Sequence, residues 1–484
     1  PAEQTPLIAA HAVALLHEAG VPVAALQLLP GDGPTVGGRL SADPRIAGVC
    51  FTGSTDTAKR IDRAMAEHLA PGAPLIAETG GLNAMIVDST ALPEQAVQAI
   101  MESAFQSAGQ RCSALRCLYV QEDIAESFTE MLTGAMDELR LGDPWELATD
   151  VGPVIDAEAQ AGIDAHVAAA RAGGRVLKAL GVPRAGTFVA PTVIRVKGIG
   201  DLTREIFGPV LHVATFRADR IDRVIDDINA TGYGLTFGLH TRIDDRVQHI
   251  VDRIRAGNMY VNRNQIGAIV GSQPFGGEGL SGTGPKAGGP HYVARFMRAA
   301  VAGASSPGHG AGGAAAGGAR IEPRAVAAAL GRLKVPGGVG EAVSLPGPTG
   351  ESNRLSHHPR GRVLCLGPTP QAAQAQAAQA AAAGNAALIV CPGASAAAGP
   401  VAVLDGALDP AALAMLDGFD AVASDAEGAD LAAIRRALAA REGAILPVLG
   451  AGDPLGRYMV ERHVCVDTTA AGGNASLLAE AATA

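Results

Sequence analysis

The sequence has few aromatic residues, few charges and no long apolar run. Of its 484 residues, 3% are aromatic and 18% charged, while 48% are hydrophobic. Because Ala and Gly are abundant, the apolar content consists mostly of small side chains, which can still bury a large core. The length predicts two or three domains. No uninterrupted apolar run reaches the roughly 18 residues of a membrane-spanning helix, so we expect a soluble protein.

The chain also lacks a basic cluster and a cysteine framework. Its formal charge of -10 argues against a nucleic-acid partner, which would need clustered Lys and Arg. The cysteines have no CxxC spacing and follow no signal peptide, so a reducing cytoplasm is expected rather than disulfides. They are Cys50, Cys112, Cys117, Cys365, Cys391 and Cys465.

Helix-like and strand-like segments alternate along most of the chain. Residues 6–19 are predicted to be a helix, and "VAALQLL" and "GVCF" are predicted to be strands. This alternation is typical of βα units on a parallel sheet, and the predicted fold class is therefore α/β. From residue 301 a run of small residues predicts a flexible linker over 301–320. Residues 321–484 resume the alternation and end in "RHVCVDT", which we predict to be an exposed strand.

Two short motifs in the first hundred residues could carry chemistry. In "CFTGST" a strand ends at Gly53 and a helix begins after Ser54, which is a suitable place for a phosphate. Ordinary helix caps use the same residues. In "AETGG" Glu78 follows an apolar strand and precedes two glycines, so burial could raise its pKa toward that of a general base. The alternative is a solvated glutamate at a strand end.

A single cysteine separates a helix-like run from a strand-like run in "FQSAGQRCSALRC". Cys112 could be a nucleophile if an electropositive setting, such as an inward-turned Arg111, stabilised its thiolate. Most free cysteines are inert core residues, however, and Cys117 in the following apolar strand fits that description.

Two further motifs lie downstream. "REIFGPVLHV" places Glu205 before a rigid turn, and residues 264–290 form a long Gly-rich segment that contains Phe275. The segment is too long and too apolar for a plain linker, which suggests that its backbone wraps another group.

Together these motifs resemble the aldehyde dehydrogenase superfamily, from residue 1 to about residue 298. The family's order and approximate spacing are matched by "PAEQTP", "FTGST", "ETGG", "GQRC", "EIFGPV" and "QPFGG". Within that superfamily, "FQSAGQRCSALR", "IGAIVGSQPFGGEGLSGTGPKAGGPHY" and "LPGPTGESN" resemble the glutamate semialdehyde dehydrogenase half of the proline utilization A family. The terminal "DTTAAGGNASLL" is similar to the tail of its longer members.

The resemblance implies NAD-dependent oxidation of L-glutamate 5-semialdehyde to L-glutamate, the second step of proline catabolism. It assigns Cys112 the attack on the aldehyde carbon and Glu78 the activation of water that releases the product. The cofactor residues that it implies are Glu3, Gly53, Ser54, Glu205 and Phe207. The substrate residues that it implies are Phe105, Ser113, Gly267, Ala268 and Phe275.

The resemblance also implies a domain plan. The fold expected is a partial Rossmann-type NAD-binding domain with an α/β catalytic domain, followed by a second Rossmann-like domain. The ranges are 1–78 for the end of the NAD-binding domain, 79–263 for the catalytic domain, 264–300 for the Gly-rich anchor loop and return segment, 301–320 for the linker and 321–484 for a degenerate C-terminal domain with a tail flap.

Some family features are missing from the sequence. The Lys that contacts the adenosine ribose and the Asn of the oxyanion hole would both precede Pro1. We therefore expect a C-terminal piece of a larger chain, impaired by itself, whose upstream proline dehydrogenase domain would bind FAD. We also expect a homo-oligomer in the cytoplasm, with attachment at the inner membrane through the missing flavin domain as an alternative.

The remaining expectations concern other chemistry. His357 and His358 point two ways from one backbone and lack a third ligand at useful spacing, so no metal site is predicted. One competing function is an aldehyde dehydrogenase that hands its thioester to coenzyme A, although members of that branch generally lack the equivalent of Glu78. The other is an inactive scaffold whose value lies in its interfaces.

Overall fold

A computed structural model describes residues 1–297, 319–338, 340, 342–395 and 399–469. Most of the predicted linker and most of the terminal "DTTAAGGNASLL" motif lie outside the described residues. None of the helices that the described residues form is both long and apolar enough to cross a bilayer.

Helices and strands alternate over most of the described chain. The helices are α1 (Pro6–Glu18), α2 (Gly38–Ser41), α3 (Thr55–His68), α4 (Pro93–Phe105), α5 (Ala125–Asp137), α6 (Ala157–Ala172), α7 (Ile221–Ala230), α8 (Asp244–Arg253), α9 (Pro323–Arg332), α10 (Pro370–Ala382) and α11 (Gly428–Ala439). The strands are β1 (Val49–Thr52), β2 (Leu75–Glu78), β3 (Ala84–Val87), β4 (Cys117–Gln121), β5 (Val176–Ala179), β6 (Thr192–Arg195), β7 (Val210–Phe216), β8 (Tyr233–Gly234), β9 (Thr236–His240), β10 (Asn258–Val261), β11 (Glu278–Gly279), β12 (Val343–Leu345), β13 (Glu351–Pro359), β14 (Arg362–Cys365), β15 (Ala386–Val390), β16 (Val401–Leu404), β17 (Ala421–Ala423), β18 (Val448–Leu449) and β19 (Met459–Asp467).

A ten-stranded sheet with the order β12-β13-β19-β10-β9-β3-β4-β7-β6-β5 forms the largest layer. Its centre, from β19 to β6, is parallel. The central strands β3, β4, β7, β9 and β10 are almost completely buried, as expected for strands that are covered on both faces. Their side chains pack with the buried faces of α4 to α8 into one large core. The α/β fold class predicted from the alternation is confirmed.

The first residues form a smaller parallel pair, in which β1 lies beside β2 and Thr52 is opposite Glu78. The helix predicted over residues 6–19 is present as α1. The strand predicted for "VAALQLL" was wrong, because residues 23–29 form turns and irregular structure. A strand needs a neighbour to accept its hydrogen bonds, and among the described residues β1 pairs with β2 alone.

A five-stranded parallel sheet with the order β16-β15-β14-β17-β18 forms the second core. The strand order reverses beside β14, the first of these strands in the chain, which is the hallmark of a doubly wound sheet. Helix α10 packs on one face, and α9 and α11 pack on the other. The predicted second Rossmann-like unit is therefore observed.

The last described strand belongs to the first sheet rather than to this second core. β19 lies between β10 and β13, and its residues His463 to Val466 are buried. The prediction of a strand at "RHVCVDT" was correct, but the prediction that it is exposed was wrong. Its alternation of polar and apolar residues is typical of an edge, whereas the structure supplies neighbours on both sides, a parallel one at Asn258–Val261 and an antiparallel one at Glu351–Pro359.

Candidate active site

Cys112 lies on a strained turn between α4 and β4. Three consecutive residues before it, Ser107, Ala108 and Gly109, have left-handed φ angles of 55°, 53° and 65°. Such angles are costly for residues with a side chain, of the order of 1–3 kcal/mol each, and they persist only where the surroundings enforce them. The turn therefore stops the helix abruptly and presents Cys112 outside regular structure.

Hydrogen bonds from two buried polar side chains hold this turn in place. The Asn83 amide donates to the carbonyls of Cys112 and Ala114 at 2.6 and 2.9 Å. The Arg116 guanidinium is buried and donates to the carbonyl of Gly109 at 2.7 Å and to that of Arg111 at 3.0 Å. Asn83 lies two residues after "ETGG" and Arg116 lies within "FQSAGQRCSALRC", but the sequence does not reveal that both hold the turn at Cys112.

The thiol of Cys112 is half-buried and has an anionic neighbourhood. Burial raises its pKa above the usual value, and the charges of Glu205 and Glu78 raise it further. The Arg111 side chain does not turn inward as considered, because it donates to the Ser107 hydroxyl at 3.3 Å. The resting group is a thiol, so a base must take its proton before it can attack.

The Glu78 carboxyl group, predicted to be the base, is buried near this thiol. Glu78 ends β2, and its Oε2 atom accepts the backbone N–H of Gly277 at 2.9 Å, while its buried Oε1 atom has no hydrogen-bond partner among the described residues. Burial raises the pKa of Glu78 to about 8. A carboxyl group with this pKa can exchange a proton near neutral pH.

The Gly-rich segment wraps this carboxylate, which explains why it is long and apolar. A Cβ atom placed on Gly276 or Gly282 would lie 3.0 or 2.9 Å from Glu78 Oε1. Glycine allows the backbone to approach this closely where another residue would collide.

A buried lysine lies on the same segment. Lys286 Nζ donates to Asn258 Oδ1 at 2.8 Å and to the carbonyl of Gly276 at 2.6 Å. Burial lowers the pKa of Lys286 to about 8, although the charges of Glu78 and Glu461 oppose this shift. Sequence reasoning did not single out Lys286, because a lysine in a Gly-rich segment is usually solvated.

A second carboxyl group of the site, that of Glu205, pairs with Arg116. The Arg116 Nη2 to Glu205 Oε1 distance is 2.9 Å, and the guanidinium also lies 5.2 Å from the centre of the Phe207 ring. Burial raises the pKa of Glu205, while Arg116 opposes this shift. Glu205 Oε2 would be 1.9 Å from a Cβ atom on Gly80, so the glycines of "ETGG" make room for it.

The other predicted cofactor residues are close to the amino end of α3 or exposed. Gly53 follows β1, and its N–H donates to the carbonyl of Glu78 at 3.1 Å. Ser54 caps α3 by accepting the N–H of Thr57 at 3.1 Å. Glu3 is exposed and accepts the N–H of Gly33 at 3.4 Å. Their contact with a cofactor stays a prediction.

Gln265 attaches the start of the Gly-rich segment to the region of Ser113. It donates from Nε2 to the carbonyl of Ser113 at 3.2 Å, and its backbone N–H donates to the Ser103 hydroxyl at 3.1 Å. The loop that carries Gly267 and Ala268 is thus attached beside the turn that carries Cys112 and Ser113. Gln265 itself was not predicted.

The remaining substrate residues differ in exposure. Gly267 is exposed with a left-handed φ of 74°, and Ala268 is half-buried. Phe275 is half-buried and exchanges backbone hydrogen bonds with Ala287. Phe105, in contrast, is 1% exposed and packs in the main core. The assignment of these five residues to substrate stays a prediction.

The fold and this arrangement agree with the comparison with known families. Residues 1–301 match the aldehyde dehydrogenase family, so the chain belongs to that family. The resemblance stated from the motifs is confirmed.

The similar proteins within this family are of two kinds. The chain is 45% identical to the bifunctional protein PutA of Escherichia coli K12 over 99% of its own length and 39% of that protein. It is 39% identical to the 1-pyrroline-5-carboxylate dehydrogenase of Geobacillus kaustophilus over 62% of its own length and 59% of that protein.

Solved structures give the same two names. A bifunctional proline utilization A protein matches with 59% identity and a TM-score of 0.60, over 61% of this chain and 30% of that one. A 1-pyrroline-5-carboxylate dehydrogenase from Thermus with bound NAD matches with 35% identity and a TM-score of 0.58, over 62% of this chain and 58% of that one. The chain therefore spans about two fifths of the length of the PutA relative from Escherichia coli.

Proposed function

We propose that this chain carries the NAD-dependent L-glutamate 5-semialdehyde dehydrogenase activity of a bifunctional proline-catabolic enzyme. The observation that carries the proposal is the environment of Glu78, a buried carboxyl group with one unpartnered oxygen and a pKa of about 8, which interacts electrostatically with the Cys112 thiol. The names of the relatives support the choice of substrate.

The chemistry of the chain's own residues follows from these pKa shifts. Glu78 accepts the Cys112 proton, and Sγ attacks the aldehyde carbon to form a thiohemiacetal. Loss of hydride from that carbon leaves a thioester. Glu78 releases that first proton to solvent and then takes a proton from water as the water attacks the thioester carbon. The carbon–sulfur bond breaks, the proton on Glu78 passes to the departing sulfur to restore the thiol, and glutamate leaves.

NAD, when bound, would supply the hydride acceptor. The turn between β1 and α3 fits its diphosphate, because Gly53 follows a parallel strand and α3 begins two residues later with a first turn of backbone N–H groups. Glu205, held by its ion pair with Arg116, would contact the nicotinamide ribose. The NAD-bound structure of the Thermus relative supports this choice.

The substrate anchor would be polar backbone rather than a fixed charge. Gly267 is exposed, and its left-handed φ is a conformation that makes backbone N–H groups available to a carboxylate. Gln265 holds this loop next to Ser113. An α-amino acid group on the substrate would therefore be recognised at one end while Cys112 reacts with the other.

The test is a comparison of kcat/KM for L-glutamate 5-semialdehyde and for hexanal, followed as NADH formation. It is made on the 484-residue chain and on the longer polypeptide to which the family resemblance assigns it. Loss of a polar anchor costs about 1–3 kcal/mol for each unpaired group. We expect the semialdehyde to be preferred by at least about tenfold. Equal values would refute the substrate, and acceleration by added coenzyme A would favour the acylating branch.

The proposal extends to partners and location. The upstream partner would be an FAD-dependent proline dehydrogenase domain of the same polypeptide, as the resemblance to the proline utilization A family implies, and the description of the Escherichia coli relative as bifunctional supports a second activity. We propose a homo-oligomer in the cytoplasm, which size-exclusion chromatography with light scattering and cell fractionation would test.

A further inference from the structure

Three potential metal ligands from distant parts of the chain meet near the end of the Gly-rich segment. Among the residues that the structure describes, His291, His357 and Glu461 form a group whose ligand atoms all lie within 4.8 Å of one another. They are separated by 66 and 104 residues, so no spacing motif could indicate them.

The β sheet creates half of this group. In the antiparallel pair of β13 and β19, His357 is directly opposite Glu461. Since alternate residues of a strand face opposite sides, His358 points away, and its Nε2 atom is bonded to the Ser356 hydroxyl at 2.9 Å. Of the two adjacent histidines, His357 alone therefore contributes a ligand. The neighbouring strand β19 supplies the second ligand, Glu461.

The Gly-rich segment supplies the third ligand. The backbone N–H of Lys286 donates to Glu461 Oε2 at 2.9 Å, which fixes the carboxylate and brings the segment against β19. Five residues later His291 reaches the same place, and its Nε2 atom lies 3.2 Å from that of His357. The hydrogen bond to Oε2 orients the carboxylate in the way that supporting groups orient metal ligands.

The distances suit a tetrahedral ion. Two imidazole nitrogens that each lie about 2.05 Å from Zn²⁺ at the tetrahedral angle are about 3.3 Å apart. The observed 3.2 Å agrees, and the two rings meet at 66° rather than stacked. Glu461 Oε1 is buried and has no hydrogen-bond partner among the described residues. A buried, unpartnered oxygen of this kind is uncommon, and a cation would satisfy it.

One side of this group is open to solvent. His291 is exposed, so water can complete the coordination shell there.

We propose that His291, His357 and Glu461 form a binding site for Zn²⁺ or a similar divalent transition-metal ion that fastens the Gly-rich segment to strands β13 and β19. Two imidazole nitrogens and one carboxylate oxygen are a donor set that favours such ions over Mg²⁺ or Ca²⁺. The site is separate from Cys112 and does not depend on the proposed dehydrogenase function.

The test is metal binding by the 484-residue chain after its metals are removed with a chelator. Zn²⁺ is titrated in competition with a chromophoric chelator, and Co²⁺ is titrated to follow its visible d–d spectrum. We expect one tight equivalent per chain and the intense bands of tetrahedral Co²⁺. His291→Asn, His357→Asn and Glu461→Gln should each weaken binding by at least about tenfold.

The matched control is His358→Asn, which removes the neighbouring histidine on the opposite face of the same strand and should leave the affinity unchanged. Added Zn²⁺ should raise the Tm of the wild type and of this control more than that of His357→Asn. Circular dichroism checks that each variant is folded. The proposal is overturned if the wild type binds no tight equivalent, if its Co²⁺ spectrum is octahedral, or if folded His357→Asn binds Zn²⁺ as tightly as the wild type.

Discussion

The two parallel sheets of this chain contain cysteines in very different settings. Cys117 in β4, Cys365 in β14 and Cys391 just after β15 are all buried, and burial raises the pKa of each thiol. Cys112 is half-buried and lies on a turn of left-handed residues held by Asn83 and Arg116. The difference teaches that strands of the two large sheets bury their thiols, whereas a turn beside such a strand can leave a thiol partly accessible.

Buried polar groups differ in the same way. In the second core Gln376 of helix α10 is fully paired: Oε1 accepts the N–H of Gly367 at 3.2 Å, and Nε2 donates to the Gly367 carbonyl at 2.8 Å and to Asp425 Oδ2 at 2.7 Å. In the first unit Glu78 Oε1 has no partner among the described residues. A satisfied amide stabilises a fold, while an unsatisfied carboxylate is typical of a site that performs chemistry.

The largest expected effect separates the cysteines. Cys112→Ala should reduce NADH formation by a factor on the order of 10⁶, to background, because the nucleophile is removed. Cys117→Ala and Cys365→Ala should leave most of the activity, since neither thiol lies on a presented turn. Initial rates with the semialdehyde provide the measurement. Equal loss of activity in Cys112→Ala and in Cys117→Ala would show that the two cysteines do not differ in function.

The next prediction replaces the Glu78 carboxyl group with a neutral amide, the group that Gln376 carries. Glu78→Gln should slow steady-state turnover by about 10²–10⁴, because a general base is lost. If the thiol is first converted to thiolate at high pH, a burst of NADH should precede this slow turnover, since water activation follows hydride loss. Stopped-flow absorbance measures both phases. A missing burst together with no trapped thioester would show that Glu78 has another role.

A smaller effect compares two glycines with similar φ angles. A Cβ atom on Gly109 (φ 65°) would lie 2.2 Å from the carbonyl oxygen of Gly208, whereas one on Gly393 (φ 75°) would lie 3.6 Å from the nearest atom, in Pro370. Gly393→Ala should cost about 1–2 kcal/mol of unfolding free energy for the left-handed conformation alone. Gly109→Ala should cost at least about 2 kcal/mol more. Urea unfolding measures both, and equal losses would show that the turn before Cys112 is not tightly braced.

The last effect is a pH dependence of stability. The pKa of folded Glu78, about 8, lies above the usual 4.5, so the folded state holds this proton more tightly than the unfolded state. That stabilisation is complete below about pH 4.5 and is lost as the pH rises to about 8. Lys286, whose pKa is lowered from 10.5 to about 8, has the opposite effect above pH 8.

Glu78→Gln should therefore remove a decline in the free energy of unfolding of up to about 1.4 kcal/mol per pH unit between about pH 5 and 8. Urea unfolding at several pH values compares the variant with the wild type. Glu130→Gln, on the exposed face of α5, is the control and should keep the wild-type profile. If the free energy of unfolding changed with pH in the same way in Glu78→Gln and in the wild type, Glu78 would not be a buried group that binds a proton in the folded state.

Local sequence features determined much of this protein. The pattern over residues 6–19 predicted α1, the apolar run at Cys117 predicted β4, and the "ETGG" and "GQRC" motifs identified the base and the nucleophile of the proposed reaction. These features are readable because helix starts, buried strands and short motifs depend on residues a few positions apart.

Only the tertiary structure decided which distant residues meet. The ion pair of Arg116 with Glu205, the link from Gln265 to Ser113, and the position of Lys286 near Glu78 all depend on contacts across tens to hundreds of residues. The pairing of β19 with β10 likewise turned an expected exposed strand into a buried one. Burial, pKa and hydrogen-bond partners are properties of a neighbourhood, and a sequence orders residues along the chain without stating which of them become neighbours in space.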